Sequence, residues 1–377
     1  MRILIYAPAA RMGGARAHVL GLVPELAACA PDDEVLLIAQ PDLLRELPPL
    51  PATWALRAEH TSPQGGLKVQ LGQLAWEQRG LTHIAARWRA DVLLSFGSFV
   101  PLRAPCPTVL EAGNALPFTA AYWRVLGREP WLVQVEAHAR WALLRASLRA
   151  AKRVLTPTRA MRLDVVTRLP GLLEKIDVAL WGVAPIFRTL RWRQRPADLT
   201  ILGVSKHGIN KEFDVLVAAL PALRRRWPGV RLVLTGTPEE SRWSRRSAAL
   251  AERLGVADAV CWAGDVPNPQ IPALIQQARL LVFPTWCESF GLPLAEALVM
   301  GAPAVAADIP ACREVGEDAA RYYASGDPDS LAAAISDLLA SPESAAALGN
   351  CAFARGQRFD WRANALAVRE CLRQALG

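Results

Sequence analysis

Short apolar runs alternate with helix-like stretches from one end of the chain to the other. Residues 2–6 read as a strand, followed by Arg11-Met-Gly-Gly-Ala and a helix through Leu26. Residues 34–39, 92–96, 108–110 and 153–156 continue the series. A short run that is apolar on both faces is what a parallel sheet covered on both sides requires. Strand and helix in alternation build a doubly wound α/β domain. The series restarts after residue 190, with strands expected at 200–204, 231–235, 259–263, 280–284 and 304–306. Helices between them should begin near Phe213, Ser244, Ile271, Pro293 and Cys312.

Two such series in 377 residues imply two domains, at roughly 100–200 residues each. Residues 1–180 form the first and 197–356 the second. The linker is placed at 181–196, a stretch rich in Arg, Trp and Pro without a clear period. Residues 57–75 are polar, contain Pro63, Gly65 and Gly66, and read as a loop. Residues 361–376 read as an amphipathic helix.

Hydrophobic residues are 52% and charged residues 21% of the chain, which excludes a disordered class. No uncharged run approaches the ~18 apolar residues of a membrane span, and no leader pattern precedes the first strand. Seven cysteines without any CxxC spacing fit buried thiols in a reducing compartment and argue against structural zinc. The expected location is therefore the cytoplasm.

The net charge of +8 is unevenly spread. Between residues 120 and 154, Arg124, Arg128, Arg140, Arg145, Arg149, Lys152 and Arg153 face only Glu129 and Glu136, with Trp123, Trp131 and Trp141 among them. Interleaved Arg and Trp on helices suit an anionic membrane surface, at the inner face of the membrane. A solvated helix face is the plain alternative. Nucleic acid is disfavoured because no recognition motif accompanies the charge.

Three motifs carry chemistry. Gly13-Gly14 follows the first strand, where glycine lets a backbone approach a phosphate and a helix start offers unpaired N–H groups. It is not GxGxxG, which argues against a dehydrogenase. Glu288-Ser-Phe-Gly-Leu-Pro-Leu-Ala-Glu296 follows the strand ending at Pro284 and opens a helix. Glu288 can sit over a ligand at the helix mouth, while Gly291 and Leu292 present N–H groups to a diphosphate. Glu296, about two turns on, is a hydroxyl acceptor of the kind a ribose needs. Lys206 and Lys211 follow the first strand of the second half, and ammonium groups there can neutralise a leaving diphosphate.

Together these residues resemble the retaining GT-B glycosyltransferases of family 4, the glycosyl transferases group 1, over nearly the whole chain. Glu288 and Glu296 are similar to the family's E-x7-E. Trp181-Gly-Val-Ala-Pro-Ile-Phe187 is similar to its N-G-V-D-x-x-x-F, and Gly301-Ala-Pro-Ala-Val-Ala-Ala to its G-x-P-V-V-A strand. Phe359-Asp-Trp361 resembles the F-x-W that starts a final helix. The resemblance implies two Rossmann-like domains facing each other across a cleft, with residues 357–377 crossing back to the first domain.

It further implies a hexose-type transfer from a UDP- or GDP-sugar to a glycan or lipid-linked acceptor, in cell-envelope or surface-glycan synthesis, with no metal. Gly13 and Gly14 would contact the donor phosphate, Lys211 the diphosphate, and Glu288 hydroxyls of the transferred sugar. Phe290, Gly291 and Leu292 would line sugar and diphosphate, and Glu296 would bind the ribose. Three positions depart from the family. Lys206 stands where it commonly has Arg, Glu212 where it has Gly, and Gly113-Asn114 where many members carry a His-Asp pair. Asn114 would then hydrogen-bond the reacting sugar. His18, His60, His83, His138 and His207 are expected to be solvated or core histidines. The rival readings are a GT-B sugar-nucleotide epimerase or phosphorylase, which the E-x7-E motif argues against, and a non-catalytic nucleotide-sugar or glycan-binding protein, supported by Asn114 and Lys206.

Overall fold

The computed structural model describes residues 1–8, 10, 13–59, 67–96, 99–193 and 199–377, with the side chains of 67–71 and 73 excepted. His60 and residues Arg11 and Met12 lie outside the described residues. The chain divides into two compact units, Met1–Gly182 with Asp360–Gly377, and Val183–Phe359.

In the first unit the strands are β1 (Arg2–Ala7), β2 (Glu34–Ala39), β3 (Trp54–Ala58), β4 (Val92–Ser95), β5 (Thr108–Glu111), β6 (Arg153–Thr156) and β7 (Ile176–Val178). They form one sheet in the order β3-β2-β1-β4-β5-β6-β7, and every pairing is parallel. The helices are α1 (Gly13–Cys29), α2 (Pro41–Glu46), α3 (Leu67–Trp88), α4 (Ala120–Leu126), α5 (Trp131–Ala150) and α6 (Arg159–Arg168). Leu4, Tyr6, Ile38 and Leu93 from the sheet pack with Leu81 and Ala85 of α3. Burying such side chains is worth roughly 1.5–3 kcal/mol each and drives the layering.

The stretch 57–75 is not one loop. Its start belongs to β3 and its end to α3, which begins at Leu67. β3 escaped the sequence reading because it is an edge strand with only Trp54 buried, so the doubly apolar run of an inner strand is missing. β7 and the last strand of the second unit were missed for a related reason, being three-residue edge strands.

The second unit carries β8 (Thr200–Gly203), β9 (Arg231–Leu234), β10 (Val260–Trp262), β11 (Leu280–Phe283), β12 (Ala304–Ala307) and β13 (Arg321–Tyr323). Their order is β10-β9-β8-β11-β12-β13, again wholly parallel. Its helices are α7 (Phe213–Arg226), α8 (Arg242–Arg253), α9 (Ile271–Gln277), α10 (Leu292–Met300), α11 (Pro310–Gly316), α12 (Pro328–Ala340) and α13 (Pro342–Gly356). Ile201, Leu232, Val282 and Val305 of the sheet pack with Phe213, Leu216 and Ile335 of the helices. Side-chain oxygens close several helix starts. Ser241 and Ser244 form a reciprocal capping box on α8, and Asp327 caps α12.

The last helix, α14 (Trp361–Leu376), belongs to the first unit. Trp361 fills a notch left by two glycines, since a Cβ on Gly21 or Gly182 would overlap it. Asn364 donates from Nδ2 to the carbonyls of Ala179 and Leu180, both at 3.0 Å. The segment that follows Gly182 is held within the second unit. The backbone N–H of Trp192 donates to Met300 O at 2.8 Å, and its indole N–H donates to Ala278 O at 2.9 Å.

Candidate functional site

Each sheet reverses its strand order once, between β1 and β4 in the first unit and between β8 and β11 in the second. In open parallel sheets, ligands bind beyond the strand carboxyl ends at such a reversal. In the second unit this point is unusually rich in charge. β8 pairs directly with β11, with Val282 beside Gly203. The loops leaving the two strands are then sewn together by backbone bonds. Trp286 N–H donates to Asn210 O at 3.0 Å, and Glu212 N–H donates to Pro284 O at 3.1 Å. Lys211 and Thr285 form an isolated antiparallel bridge.

This stitching brings Lys211 and Glu288 into a direct ion pair, although 77 residues separate them. Their side chains are 11% and 14% exposed. Asn210 donates from Nδ2 to Cys287 O at 2.8 Å and to Glu288 Oε1 at 3.2 Å. The Lys211 ammonium also lies 4.4 Å from the centre of the Phe283 ring, within cation–π range. A partly desolvated cation and carboxylate, both held in place, suit a ligand that carries phosphate next to sugar hydroxyls.

Helix α10 starts beside this pair. Gly291 caps it at φ 98°, a conformation that favours glycine, and a Cβ there would meet the Phe283 ring at 3.0 Å. No side chain caps the helix, so its first N–H groups keep their partial positive charge for a ligand. Leu292 opens the helix and is buried. Phe290 is fully buried and meets Phe359 edge-on at 5.7 Å. Glu296 is 8% exposed. Desolvation alone, unrelieved by any cation or donor among the described residues, pushes its pKa up to about 8.

Lys206 takes a different position. Half exposed, it contacts Asp265 Oδ1 at 2.7 Å and Glu240 Oε1 at 3.5 Å. The hydrogen bond to Asp265 raises its pKa, so it stays charged while shared between two carboxylates. His207 beside it is a core residue. It stacks on Phe213 at 4.1 Å, its Nε2 lies 2.9 Å from Thr235 O, and burial lowers its pKa. Glu212, where the resembling family has glycine, is buried and accepts from Tyr323 OH at 3.0 Å and Ser325 OH at 2.9 Å. Burial raises its pKa despite those two donors. Asn210 and Thr285 were not singled out in the sequence. Glu212 was noted only as standing in place of the family's glycine, because its partners lie more than 100 residues away.

In the first unit Gly13 opens α1 at φ 59°, with open space where a Cβ would stand. Gly14 is partly exposed. Asn114 is exposed and its Oδ1 accepts from Leu116 N–H at 3.1 Å, which turns the chain after β5. His18 is buried, with Nδ1 2.8 Å from Glu111 Oε1, and lies between Trp181 at 4.5 Å and Trp361 at 5.3 Å. Trp181 donates its indole N–H to the same carboxylate oxygen at 2.9 Å. His83 and His138 are exposed.

On α5 the first turns are apolar and open to solvent. Trp131 is 70% exposed, Leu132 62% and Val135 57%. Among the described residues, no helix is long and apolar enough to cross a membrane, and no group of three His, Cys, Asp or Glu side chains could hold a metal ion.

Comparison with known proteins agrees with this geometry. Residues 198–341 match the family model for glycosyl transferases group 1. The D-inositol 3-phosphate glycosyltransferase of Segniliparus rotundus is 35% identical over 184 residues, 48% of this chain and 41% of the relative. The glycogen synthase of Mycobacterium tuberculosis is 30% identical over 246 residues, 62% and 56% of the two chains. The chain thus spans about half the length of the curated relatives it matches. Among solved structures, sucrose-phosphate synthase from Thermosynechococcus elongatus superposes with a TM-score of 0.78 at 17% identity, over 99% of this chain and 98% of that one. Anabaena HepE in complex with UDP-glucose superposes with a TM-score of 0.76 at 19% identity, over 99% of both. Such likeness is one of fold, two Rossmann-like parallel-sheet units of the GT-B class.

Proposed function

We propose that this chain, whose residues 198–341 match the family model for glycosyl transferases group 1, is a retaining glycosyltransferase that moves a hexose-type sugar from a UDP- or GDP-sugar to an acceptor hydroxyl. The observation that carries this reading is the Lys211–Glu288 pair, held at the strand-order reversal next to the start of α10. The names of the relatives, a glycosyltransferase and a glycogen synthase, and the UDP-glucose in HepE support a nucleotide-sugar donor.

In this reading the bond between the sugar's anomeric carbon and the diphosphate oxygen breaks. The acceptor oxygen bonds to that carbon from the same face, and its proton passes to the departing diphosphate. Lys211 and the N–H groups opening α10 stabilise the charge that develops on the diphosphate. Lys206 adds a second cation, weakened by Asp265 and Glu240. Glu288 orients hydroxyls of the sugar, and Glu296 accepts from the ribose. Phe290, Gly291 and Leu292 line the donor. Gly13 and Gly14 approach the phosphate by backbone, and Asn114 takes the place of the His-Asp pair. No bound metal is required, because these cations and the helix start take the metal's electrostatic role.

We place the work of the enzyme in surface-glycan synthesis at the inner face of the membrane. The support is the solvent-open Trp131, Leu132 and Val135 on α5, flanked by the arginines of residues 120–154.

Thermal stability of the purified chain with UDP, GDP, ADP and TDP, each with and without magnesium, tests the donor assignment. A ligand at 100 times its dissociation constant adds about 2.7 kcal/mol. One nucleotide stabilising selectively without magnesium is the expected result. No shift with any of the four would refute the assignment.

A further inference from the structure

Glu288 is held by more than its cation. The Lys211 ammonium and Asn210 Nδ2, the latter at 3.2 Å, both donate to its Oε1, and Thr285 Oγ1 lies 3.4 Å from the same atom. Among the described residues Oε2 has no hydrogen-bond partner, and it is not sealed from solvent. One carboxylate oxygen is anchored and the other is open to accept from a ligand hydroxyl.

Lys211 alone is a poor anchor for this carboxylate. A diphosphate at the start of α10 competes for the ammonium, and its own negative charge repels Glu288 at the same time. As the donor arrives, the group that orients its sugar would lose its cation and be pushed aside. A neutral hydrogen-bond donor escapes this competition, because it carries no net charge for the diphosphate to attract.

Asn210 has the geometry for that duty. Its amide nitrogen carries two hydrogens. One goes to Cys287 O at 2.8 Å and the other to Glu288 Oε1 at 3.2 Å. Both acceptors are oxygens, which fixes the end of the amide that faces them as nitrogen. With both hydrogens committed, Asn210 has no donor left for a phosphate, so it acts on Glu288 and not on the ligand. Its own backbone is secured in turn. Thr285 is fully buried and its hydroxyl donates to Asn210 O at 2.9 Å, and Trp286 N–H donates to the same carbonyl at 3.0 Å. Asn210 is therefore bonded, through side chain and main chain, to the loop that carries Glu288.

We propose that Asn210 is a positioning residue, which holds Oε1 of Glu288 while Lys211 turns to the diphosphate, so that Oε2 stays presented to the donor's sugar. The proposal rests on the glycosyltransferase reading and adds to it the residue that keeps Glu288 in place.

The test titrates UDP and UDP-glucose, and separately GDP and GDP-mannose, calorimetrically into the full chain and into Asn210→Ala, Glu288→Gln and the double variant. The quantity read is the ratio of the nucleotide-sugar to the nucleotide dissociation constant, which isolates the sugar's share of binding. For the pair that the parent binds, Asn210→Ala should raise this ratio at least fivefold while the plain nucleotide keeps its affinity within about twofold. Glu288→Gln should raise it as much or more. The double variant should go no further than Glu288→Gln, since Asn210 acts only through that carboxylate. Asn210→Asp has the same shape but acceptors in place of the two hydrogens, and should raise the ratio at least as far as alanine does. It keeps the loop filled if the alanine variant does not fold. An unchanged ratio, an equal loss of both ligands, or additive effects in the double variant would each overturn the proposal and leave the glycosyltransferase reading standing. A parent chain that binds neither nucleotide nor nucleotide sugar would remove that reading, and the proposal with it.

Discussion

Glu296→Gln isolates what burial does to a carboxylate in the middle of α10. Glu296 ordinarily would titrate near 4.5, and burial moves it to about 8. A carboxyl whose folded pKa is raised holds its proton more tightly in the native than in the unfolded state. The native state therefore loses stability as pH rises between 4.5 and about 8, and the loss levels off above. At about 1.4 kcal/mol per pH unit, the full window is worth about 5 kcal/mol. Glutamine cannot ionise, so it removes the slope. Its buried amide carries a desolvation cost of about 1–3 kcal/mol of its own, but the same at every pH. The quantity to read is thus the difference in unfolding free energy between parent and variant, measured by urea titration at pH 5.5, 7.0 and 8.5. The variant should gain on the parent by about 3 kcal/mol between the first and last pH. If the ribose of a bound nucleotide donates to the ionised carboxylate, nucleotide stabilisation of the parent should also grow with pH, and that growth should vanish in the variant. Parallel pH profiles for the two proteins would refute the reasoning, because they would mean that Glu296 is solvated or already ionised in the native state.

Other perturbations follow from the same geometry. Lys211→Ala and Glu288→Ala should each lower sugar transfer by orders of magnitude. Each leaves a mostly buried charge without its partner, so urea titration should also record a loss of about 3 kcal/mol; a fully active Lys211→Ala enzyme would remove the assignment. Gly291→Ala combines a φ of 98° with contact against Phe283 and should cost about 1–3 kcal/mol, measured by thermal unfolding, while weakening nucleotide-induced stabilisation. Gly182→Ala would drive a methyl into Trp361 and should destabilise the first unit by a similar amount, again by thermal unfolding. Trp131→Ser with Leu132→Ser should reduce co-sedimentation with phosphatidylglycerol-containing vesicles at least tenfold, since burying one large apolar side chain is worth about 1.5–3 kcal/mol; unchanged co-sedimentation would leave α5 a plain solvated helix.

The alternation of apolar runs and helices determined two parallel α/β sheets, because an inner strand covered on both faces must be apolar at every position. The inner strands β1, β4, β8 and β11 were legible for that reason, whereas of the edge strands β3, β7, β10 and β13 only β10 was. The spacing of Glu288, Gly291 and Glu296 was equally local and set Gly291 at the start of α10, with Glu288 just before it and Glu296 in its middle. What joined Lys211 to Glu288 was tertiary. It required β8 and β11 to lie side by side and their loops to exchange backbone bonds, and no local pattern reports which strands become neighbours. Tertiary structure also separated charges of the same type into different states. Lys206 became shared between Asp265 and Glu240 and stayed half exposed, Lys211 was withdrawn from solvent, and Glu296 lost its water without gaining a partner. Charge is written in the sequence, but the solvent and neighbours that determine what a charge can do are supplied only when the chain is folded.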